Sequence, residues 1–380
     1  MKIQLLLAAV ALTVTLFSCS SGRKAYERGD YYEAVMKSVA RLRQNPGHSK
    51  SRDALRSSYP LAVDWFDNQA KNEIASNTPF RWKNALQNYN RINEMYETIR
   101  QAPGAIQVIP NPVSYYDKIA EAKEHAADES YEAGITALMK GDRNSAKEAY
   151  FNFADVQNFS PGFKDVIEYL EKSKFEATLR IIVDQIPLPS RYRLSGDFFQ
   201  DKVEEFLHTN YTELDFIRFY TPDEARTVDP SIVDHLLKIQ FDDFSVGNTT
   251  VREREETITR DSVVVAETKS GDKTIPVYGT VKATYTTVRK EVVSKGLLSM
   301  VVVDATTNGV LTHRKLPGEY VWYTSWARFN GDERALSDEQ LAQSKKRELP
   351  PPDPQDLFLE FTKPIYNQLV SAVKGFYNSY

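Results

Sequence analysis

The hydrophobic pattern of this chain changes its period once, close to Ala177. Before that residue, apolar side chains recur every three or four positions, as on one face of a helix. After it, Leu179, Ile181 and Val183 alternate with their neighbours in the period of a strand. One segment cannot satisfy both periods, so the sequence predicts a multidomain α+β protein, with an N-terminal α-helical repeat domain followed by a mixed α/β sheet domain.

The 380 residues are enough for more than one hydrophobic core, and breaks in composition suggest where the chain divides. The clearest break is the run RELPPPDPQD at 347–356, whose prolines predict a stiff linker before a helical tail. The predicted segments are a signal peptide at 1–18, the helical domain at 19–175, the α+β domain at 176–346, and the linker with a C-terminal helix at 347–380.

The first residues have the layout of a secretory signal, with Lys2 ahead of an apolar run that is short for a membrane-spanning helix. The run leads to Cys19, the single cysteine of the chain. Residues 16–19 (LFSC) resemble the lipobox of bacterial lipoproteins, which implies cleavage before Cys19 and attachment of lipid to it. A plain signal peptide beside a stray cysteine is the alternative. We expect this covalent lipid and no cofactor.

The same cysteine bears on the compartment. An exported chain with one cysteine cannot form an internal disulfide, and lipidation removes a reactive thiol. A multi-acyl anchor holds a protein on a membrane almost permanently. Ser20 stands where some bacterial lipoproteins carry the aspartate associated with retention in the inner membrane. We predict an outer-membrane, lipid-anchored protein that faces the periplasm and has envelope proteins as partners.

Charge and motif content argue against several function classes. The formal net charge is −4, and no basic stripe predicts contact with nucleic acid. The five histidines lie at no metal-ligand spacing, and the common hydrolase and phosphate-binding motifs are missing. Asp242 and Asp243 are adjacent on a predicted strand and so point to opposite faces. We predict no metal site and no enzymatic activity; carboxylates brought together only by the fold stay open.

Two stretches of the helical part share one pattern, one at Gly29 and the other at Gly141. Each Gly-Asp pair precedes a helix with a small alanine four residues after the aspartate, and each stretch ends at a Pro-Gly pair. The first copy resembles a tetratricopeptide helix pair, with Gly29, Tyr32, Ala34 and Pro46 in the repeat positions. The resemblance implies stacked helix pairs.

The helices between these copies carry aromatic residues on their apolar stripes. One is predicted to have Pro60 in its first turn, and the next to start near Pro79. Stacked helix pairs leave a concave surface that commonly binds a segment of another protein. The candidate binding residues are Tyr32, Trp82, Tyr89 and Tyr96. The alternative is that these rings only hold neighbouring helices together.

The second half also contains helical signals. A helix after the first strand is predicted to turn Phe198, Val203 and Phe206 inward. The tail after the proline-rich linker carries an apolar stripe and is expected to kink or restart at Pro364. We expect the tail to pack on the sheet of its own chain, with docking on another subunit as the alternative.

Two strands are predicted around Asn308-Gly309, which forms a tight hairpin because these residues accept positive φ. Another strand, rich in aromatic residues, is predicted from Glu319. This order of elements behind a lipidated cysteine is similar to the periplasmic domain of the curli secretion lipoprotein CsgG and of LpoB-type lipoproteins, over residues 177–336. The resemblance implies a protein that works by binding and assembly, and no catalytic residue.

Residues 246–296 are rich in threonine, valine and charge, and predict a long hairpin, or a pair of hairpins, that projects as an arm. One face of its first strand carries Glu253 and Glu255 and the other Arg252 and Arg254. Neither face suits lipid, so we reject a membrane pore. A projecting arm offers edge strands to a partner. Its candidate binding residues are Val263, Val265 and Tyr285. A solvated flap packed on its own domain is the alternative.

Together these features predict a membrane-tethered periplasmic lipoprotein that acts as a non-enzymatic, protein-binding adaptor in an envelope assembly or secretion system. A homo-oligomer also stays open. The alternative is a glycan-binding outer-membrane lipoprotein, since the chain has 21 tyrosines and 19 phenylalanines. Aromatic rings that line one open cleft would favour glycan binding, and an unpaired edge on the arm would favour the adaptor.

Overall fold

A computed structural model describes residues 22–187, 190–212, 215–270 and 273–380. The predicted signal peptide (1–18) and the predicted lipidation site Cys19 lie outside the described residues. The chain divides into two units between Ala177 and Thr178. The first unit is helical, and the second is built on one mixed sheet.

The first unit packs its helices through buried apolar side chains. Its largest fully buried side chains include Leu42, Leu55, Ile92 and Phe153. The helices are α1 (Gly22–Glu27), α2 (Tyr31–Gln44), α3 (Ser49–Ala75), α4 (Arg81–Arg100), α5 (Pro103–Ile106), α6 (Tyr116–Leu138), α7 (Arg143–Phe159) and α8 (Val166–Ala177).

The two Gly-Asp turns are present and alike. Gly29 has φ +79° and Gly141 has φ +73°, a conformation that glycine adopts without strain. The next residue caps the following helix in both cases, because Asp30 accepts a hydrogen bond from Glu33 N at 2.9 Å and Asp142 accepts one from Ser145 at 3.0 Å. The shared sequence pattern therefore encodes one turn geometry used twice.

Helix α3 differs from its prediction. It begins at Ser49, so Pro60 lies in its interior and not in its first turn. His48 caps the helix, accepting from Ser51 N at 3.3 Å. Proline normally interrupts a helix because it lacks the N–H and crowds the preceding turn. Here the neighbours Tyr59 and Ala62 are buried, and this packing holds the helix continuous through the proline.

The second unit is a five-stranded sheet in the order β2-β1-β3-β4-β5, with β1 parallel to β2 and β3, and β4 antiparallel to β3 and β5. The fold is therefore mixed α/β in this unit. Its elements are β1 (Leu179–Val183), α9 (Arg193–Asn210), β2 (Ile217–Tyr220), β3 (His235–Ser270), β4 (Lys273–Asp304), β5 (Val310–Gly331), α10 (Asp338–Ser344) and α11 (Pro354–Tyr377).

Helices α9 and α11 cover one face of this sheet. Leu298, Met300 and Val302 of β4 alternate along the strand, are almost fully buried, and share one core with Phe358 and Phe361 of α11. The predicted docking of the tail on its own sheet is thus present. Helix α11 continues through Pro364, so the predicted restart at this proline is absent, because the helix is packed along the sheet on both sides of the proline.

Two further expectations are corrected in this unit. Phe198 is 51% exposed, and its neighbour Phe199 takes the buried position of α9. The two strands predicted on either side of Pro317-Gly318 are one strand, β5. β5 lies at the sheet edge, where a proline without an N–H removes no bond that the sheet needs. β4 and β5 form the predicted hairpin, but its connection spans 305–309 and is not a tight two-residue turn; Asn308 has φ +56°, whereas Gly309 is not at positive φ.

Glycine allows α11 to approach the sheet closely. A Cβ placed on Gly318 would lie 2.5 Å from Ile365 Cγ1 and would also meet the carbonyl oxygen of Phe361. A Cβ on Gly296, the partner of Gly318 on β4, would lie 2.7 Å from Phe361 Cε2. A side chain at Gly318 must push the helix away from the sheet, because it would meet the backbone of α11.

We predict that Gly318→Ala destabilises the protein by about 1–3 kcal/mol, because the added methyl group overpacks the contact with α11. The matched control is Gly375→Ala in α11 itself, where an added Cβ would meet nothing within 4 Å. That change should stabilise the protein by about 0.5–1 kcal/mol through helix propensity. Urea unfolding followed by circular dichroism compares the two; equal effects would contradict the close approach.

Candidate functional site

The arm predicted at 246–296 is one continuous hairpin made of β3 and β4. The register runs from Asn248 opposite Val293 to Ser270 opposite Lys273. Irregularities in the pairing follow Ser245, Arg260 and Val264. β-bulges of this kind bend a strand and increase its twist. The arm is therefore a bent extension of the sheet: β5 also pairs with β4 from Gly296 to Ala283, and only the part beyond Ala283 is two-stranded.

A small second apolar cluster supports the arm on the face opposite α9 and α11. On β4 the residues of this cluster are odd-numbered, whereas Leu298, Met300 and Val302 of the main core are even-numbered. The cluster joins both arm strands to β5 and α10. Its members are Ile258, Val263, Val281, Ala283, Tyr285, Ala327, Phe329, Ala335, Leu336 and Leu341.

Arg334, which follows β5, fastens the arm beside this cluster. Its Nη1 donates a hydrogen bond of 2.6 Å to the carbonyl oxygen of Val264. The same guanidinium pairs with Asp332 at 2.5 Å and lowers the pKa of that carboxyl to about 2. Asp332 N in turn donates to the carbonyl oxygen of Lys282 at 3.0 Å. These bonds hold both strands of the arm where β5 ends.

The outer edge of β3 is unpaired over most of its length. β1 pairs with β3 only through His235, Leu236 and Leu237. From Lys238 to Ser270, the described residues provide no strand on that side. Unpaired N–H and C=O groups of such an edge can accept another strand. The structure therefore contains the unpaired edge that the adaptor hypothesis needs.

The three arm residues singled out from the sequence have different environments. Val265 is 45% exposed near the tip. Val263 is half-buried in the cluster at the base of the tip. Tyr285 is 3% exposed and its hydroxyl donates to the carbonyl oxygen of Gln340 at 3.4 Å, so it is a core residue and its assignment to a binding surface is corrected. Strand periodicity could not reveal that α10 covers this face.

The four aromatic candidates of the helical unit are each packed against a neighbour. Tyr89 is buried beside Tyr115, so it too is corrected to a core residue. The other three are half-buried. Their partners are Arg91 Nη1, 3.0 Å from the Tyr32 hydroxyl, the His125 ring, 4.2 Å from Trp82, and the Tyr116 ring, 5.9 Å from Tyr96.

A polar cluster crosses β3, β4 and β5 on the face of the sheet opposite α9 and α11. Ser299 Oγ lies 2.6 Å from Asp242 Oδ2 and 3.2 Å from His313 Nε2, and Lys315 Nζ lies 3.5 Å from the same carboxylate. In a hydrolase triad the histidine stands between the serine and the carboxylate. Here Ser299 stands in the middle and is 2% exposed, so the arrangement does not support nucleophilic catalysis.

A cleft of about 700 Å³ opens between α9 and α11. Four aromatic rings lie on its walls, those of Phe198, Phe199, Tyr320 and Tyr366. The Tyr366 hydroxyl donates to the carbonyl oxygen of Lys202 at 3.3 Å. Charged side chains stand on the same walls. Sequence analysis missed this cleft, since its residues come from segments about 160 positions apart and share no local pattern.

Within the part of the chain that the structure describes, no helix is long and apolar enough to cross a membrane. The same residues bring together no group of three or more histidine, cysteine, aspartate or glutamate side chains that could hold a metal ion.

In comparisons with known proteins, no family model and no curated protein matches the chain. Among solved structures, the chain is similar to a neuraminyllactose-binding hemagglutinin homolog from Helicobacter pylori, with 11% sequence identity and a TM-score of 0.25. That alignment covers 52% of this chain and 84% of the other. A similarity at this level does not support a functional argument.

We predict that Ser299→Ala raises the pKa of Asp242. The hydrogen bond from Ser299, with help from Lys315, lowers the pKa of this carboxyl in the folded protein. A depressed folded pKa adds stability above the unfolded value of about 3.9, and this stability is lost as pH falls through the folded pKa. The stability difference between wild type and S299A should therefore be larger at pH 6 than at pH 3.

Carboxyl NMR titration of Asp242 measures the shift directly. The control is Ser294→Ala, since Ser294 is as buried on the same strand but its hydroxyl accepts from the backbone N–H of Gly247. The effect of Ser294→Ala on stability should be the same at pH 3 and at pH 6. An unchanged Asp242 titration in S299A would contradict the assigned cause.

Proposed function

We propose that this chain is a membrane-tethered, periplasmic lipoprotein that acts without catalysis, as a protein-binding adaptor in an envelope assembly or secretion system. The observation that carries the proposal is the unpaired outer edge of β3 from Lys238 to Ser270. Strand addition to such an edge is a common mode of peptide recognition, because main-chain hydrogen bonds provide affinity for any extended segment.

The support of the arm also favours this role. The small apolar cluster and the Arg334 bond to Val264 hold the hairpin in place without covering its edge. A partner strand would then meet a surface that is already ordered, which reduces the entropy cost of binding. The tip beyond these contacts exposes apolar side chains, among them Val265, Ile275 and Tyr278. Exposed apolar residues grouped in this way are typical of contact surfaces.

The helical unit would contribute a second contact surface if its helix pairs act as tetratricopeptide-like repeats. The shared geometry of the Gly29 and Gly141 turns and the buried alanines Ala34 and Ala146 favour that interpretation. Attachment of lipid at Cys19 would hold the chain at the outer membrane, on its periplasmic side. Both statements are part of the proposal.

Site-specific photo-cross-linking in intact envelopes tests the adaptor. A photoreactive amino acid at Thr257, which is exposed on β3, should cross-link to an envelope protein. The same amino acid at Lys295, exposed on the interior strand β4, should not, since neighbouring strands occupy both sides of β4. Equal products from the two positions, or none from Thr257, would contradict contact through the edge.

A shortened arm separates the edge from the tip. Val264 and Tyr278 are paired, so residues 265–277 can be replaced by an Asn-Gly turn that leaves this pair and the Arg334 bond intact. The Thr257 cross-link should survive the change if the edge makes the contact. Loss of the cross-link in a variant that still folds would show that the partner contacts the tip and not the edge.

A second candidate function is glycan binding, which the cleft between α9 and α11 favours. Open aromatic faces beside carboxylate, amide and ammonium groups suit a sugar, which presents both C–H faces and hydroxyl groups. If the cleft binds glycan, Tyr320→Ala should weaken binding on a glycan array, followed by calorimetry, by about 3- to 10-fold. Tyr323→Ala, exposed on the same strand outside the cleft, should leave it unchanged. Absence of any glycan ligand would eliminate this candidate.

A further inference from the structure

Five consecutive charged residues, Arg252 to Glu256, lie on the unpaired edge of β3, and all are exposed. The pairing with β4 is regular here, so successive side chains point to opposite faces of the sheet. Arg252 and Arg254 lie on the face that carries the small apolar cluster. Glu253 and Glu255 lie on the face that carries α9 and α11. Glu256, paired with Tyr285 of the small apolar cluster, shares the face of Arg252 and Arg254. The signs therefore alternate between the faces from Arg252 to Glu255, and in this run only the face of α9 and α11 carries a single sign.

The structure neutralises this pattern only in part. Glu253 forms a two-bond ion pair with Arg328 of β5, at 2.6 and 3.2 Å. Arg252 lies directly opposite Arg289 on β4, an arrangement of like charges that weakens a sheet. Within the described residues, no side-chain partner accompanies Arg252, Arg254 or Glu255.

We propose that the occupant of this edge is an extended segment of a partner protein in which acidic and basic residues alternate. This inference rests on the proposed adaptor function and specifies its partner. In a strand added to β3, every second side chain faces Arg252 and Arg254, and the others face Glu253 and Glu255. Acidic residues on the first face and basic residues on the second complete the pairs that the chain leaves open.

A second copy of this chain fits the edge poorly. Two antiparallel edge strands joined at their free sides are related by a two-fold axis perpendicular to the sheet, which keeps each face on its own side. The residue at the axis meets its own copy, so any axis within 252–256 sets at least one pair of like charges opposite each other, although an axis at Glu255 would also bring Arg254 opposite Glu256 of the other copy. On the face of α9 and α11, Glu253 and Glu255 are the only charged residues between Thr249 and Thr259, so they cannot meet a base there.

Two synthetic peptides of identical composition test the charge pattern. In the first, glutamate and lysine alternate between flanking threonine and valine residues; in the second, they come in like-charged pairs, so that each face carries both signs. Fluorescence anisotropy measures their binding to the full chain at low and high salt. The alternating peptide should bind about tenfold more tightly, and the difference should shrink as salt increases.

Variants of the chain assign the binding to the edge. The double change Arg252→Glu and Arg254→Glu should weaken binding of the alternating peptide by about tenfold or more, since it turns attraction into repulsion. The matched control is Arg193→Glu with Arg226→Glu, which reverses two exposed arginines of the same unit away from the edge. Equal affinity for both peptides, or an unchanged affinity after the edge reversal, would overturn the proposal.

The Thr257 cross-link separates this inference from the adaptor function. If the edge-reversed variant still cross-links to its envelope partner as wild type does, the charge pattern is not recognised and the inference fails while the adaptor stands. If wild type gives no cross-link, both fail. A product of two copies of this chain would identify a second copy as the occupant and overturn the inference.

Discussion

The second unit depends on a mismatch in length between its strands and its helices. β3 has 36 residues, which extend to about 120 Å at 3.3 Å per residue, whereas the 24 residues of α11 reach only about 36 Å at 1.5 Å per residue. The helix layer can bury only the part of the sheet that carries Leu298, Met300 and Val302. The rest of the hairpin must be stable with most of its surface in water, which explains its threonine and its charge.

The local rules of the chain predicted much of the fold. Both Gly-Asp turns follow from a backbone conformation that few residues adopt, so a short sequence is sufficient. Proline misled the prediction at Pro60 and at Pro364 for the same reason. Its local cost was outweighed by packing around the helices, which depends on residues far away in the sequence.

The candidate site was predictable only where exposure follows from the strand itself. Alternating charge showed that neither face of the first arm strand is buried, and the structure exposes Arg252 to Glu255 accordingly. Tyr285 has the same strand period, yet it is buried, because Ala335, Leu336 and Leu341 cover it from a later segment. The sequence of the strand alone does not reveal that a later segment packs on it. The cleft between α9 and α11 could not be predicted for the same reason, since its walls come from segments far apart in the sequence.

The charges at the edge have two consequences that act together. A long unpaired strand invites aggregation, and charged residues such as Arg252 and Glu253 prevent it by placing like charges in register with a second copy. Because these side chains stay in water, ion pairs with them add little to the affinity of a matching partner. They mainly determine which alignment of the added strand is preferred. Most of the binding energy must then come from main-chain hydrogen bonds. An edge of this kind can remain open in the free protein and still select the strand that closes it.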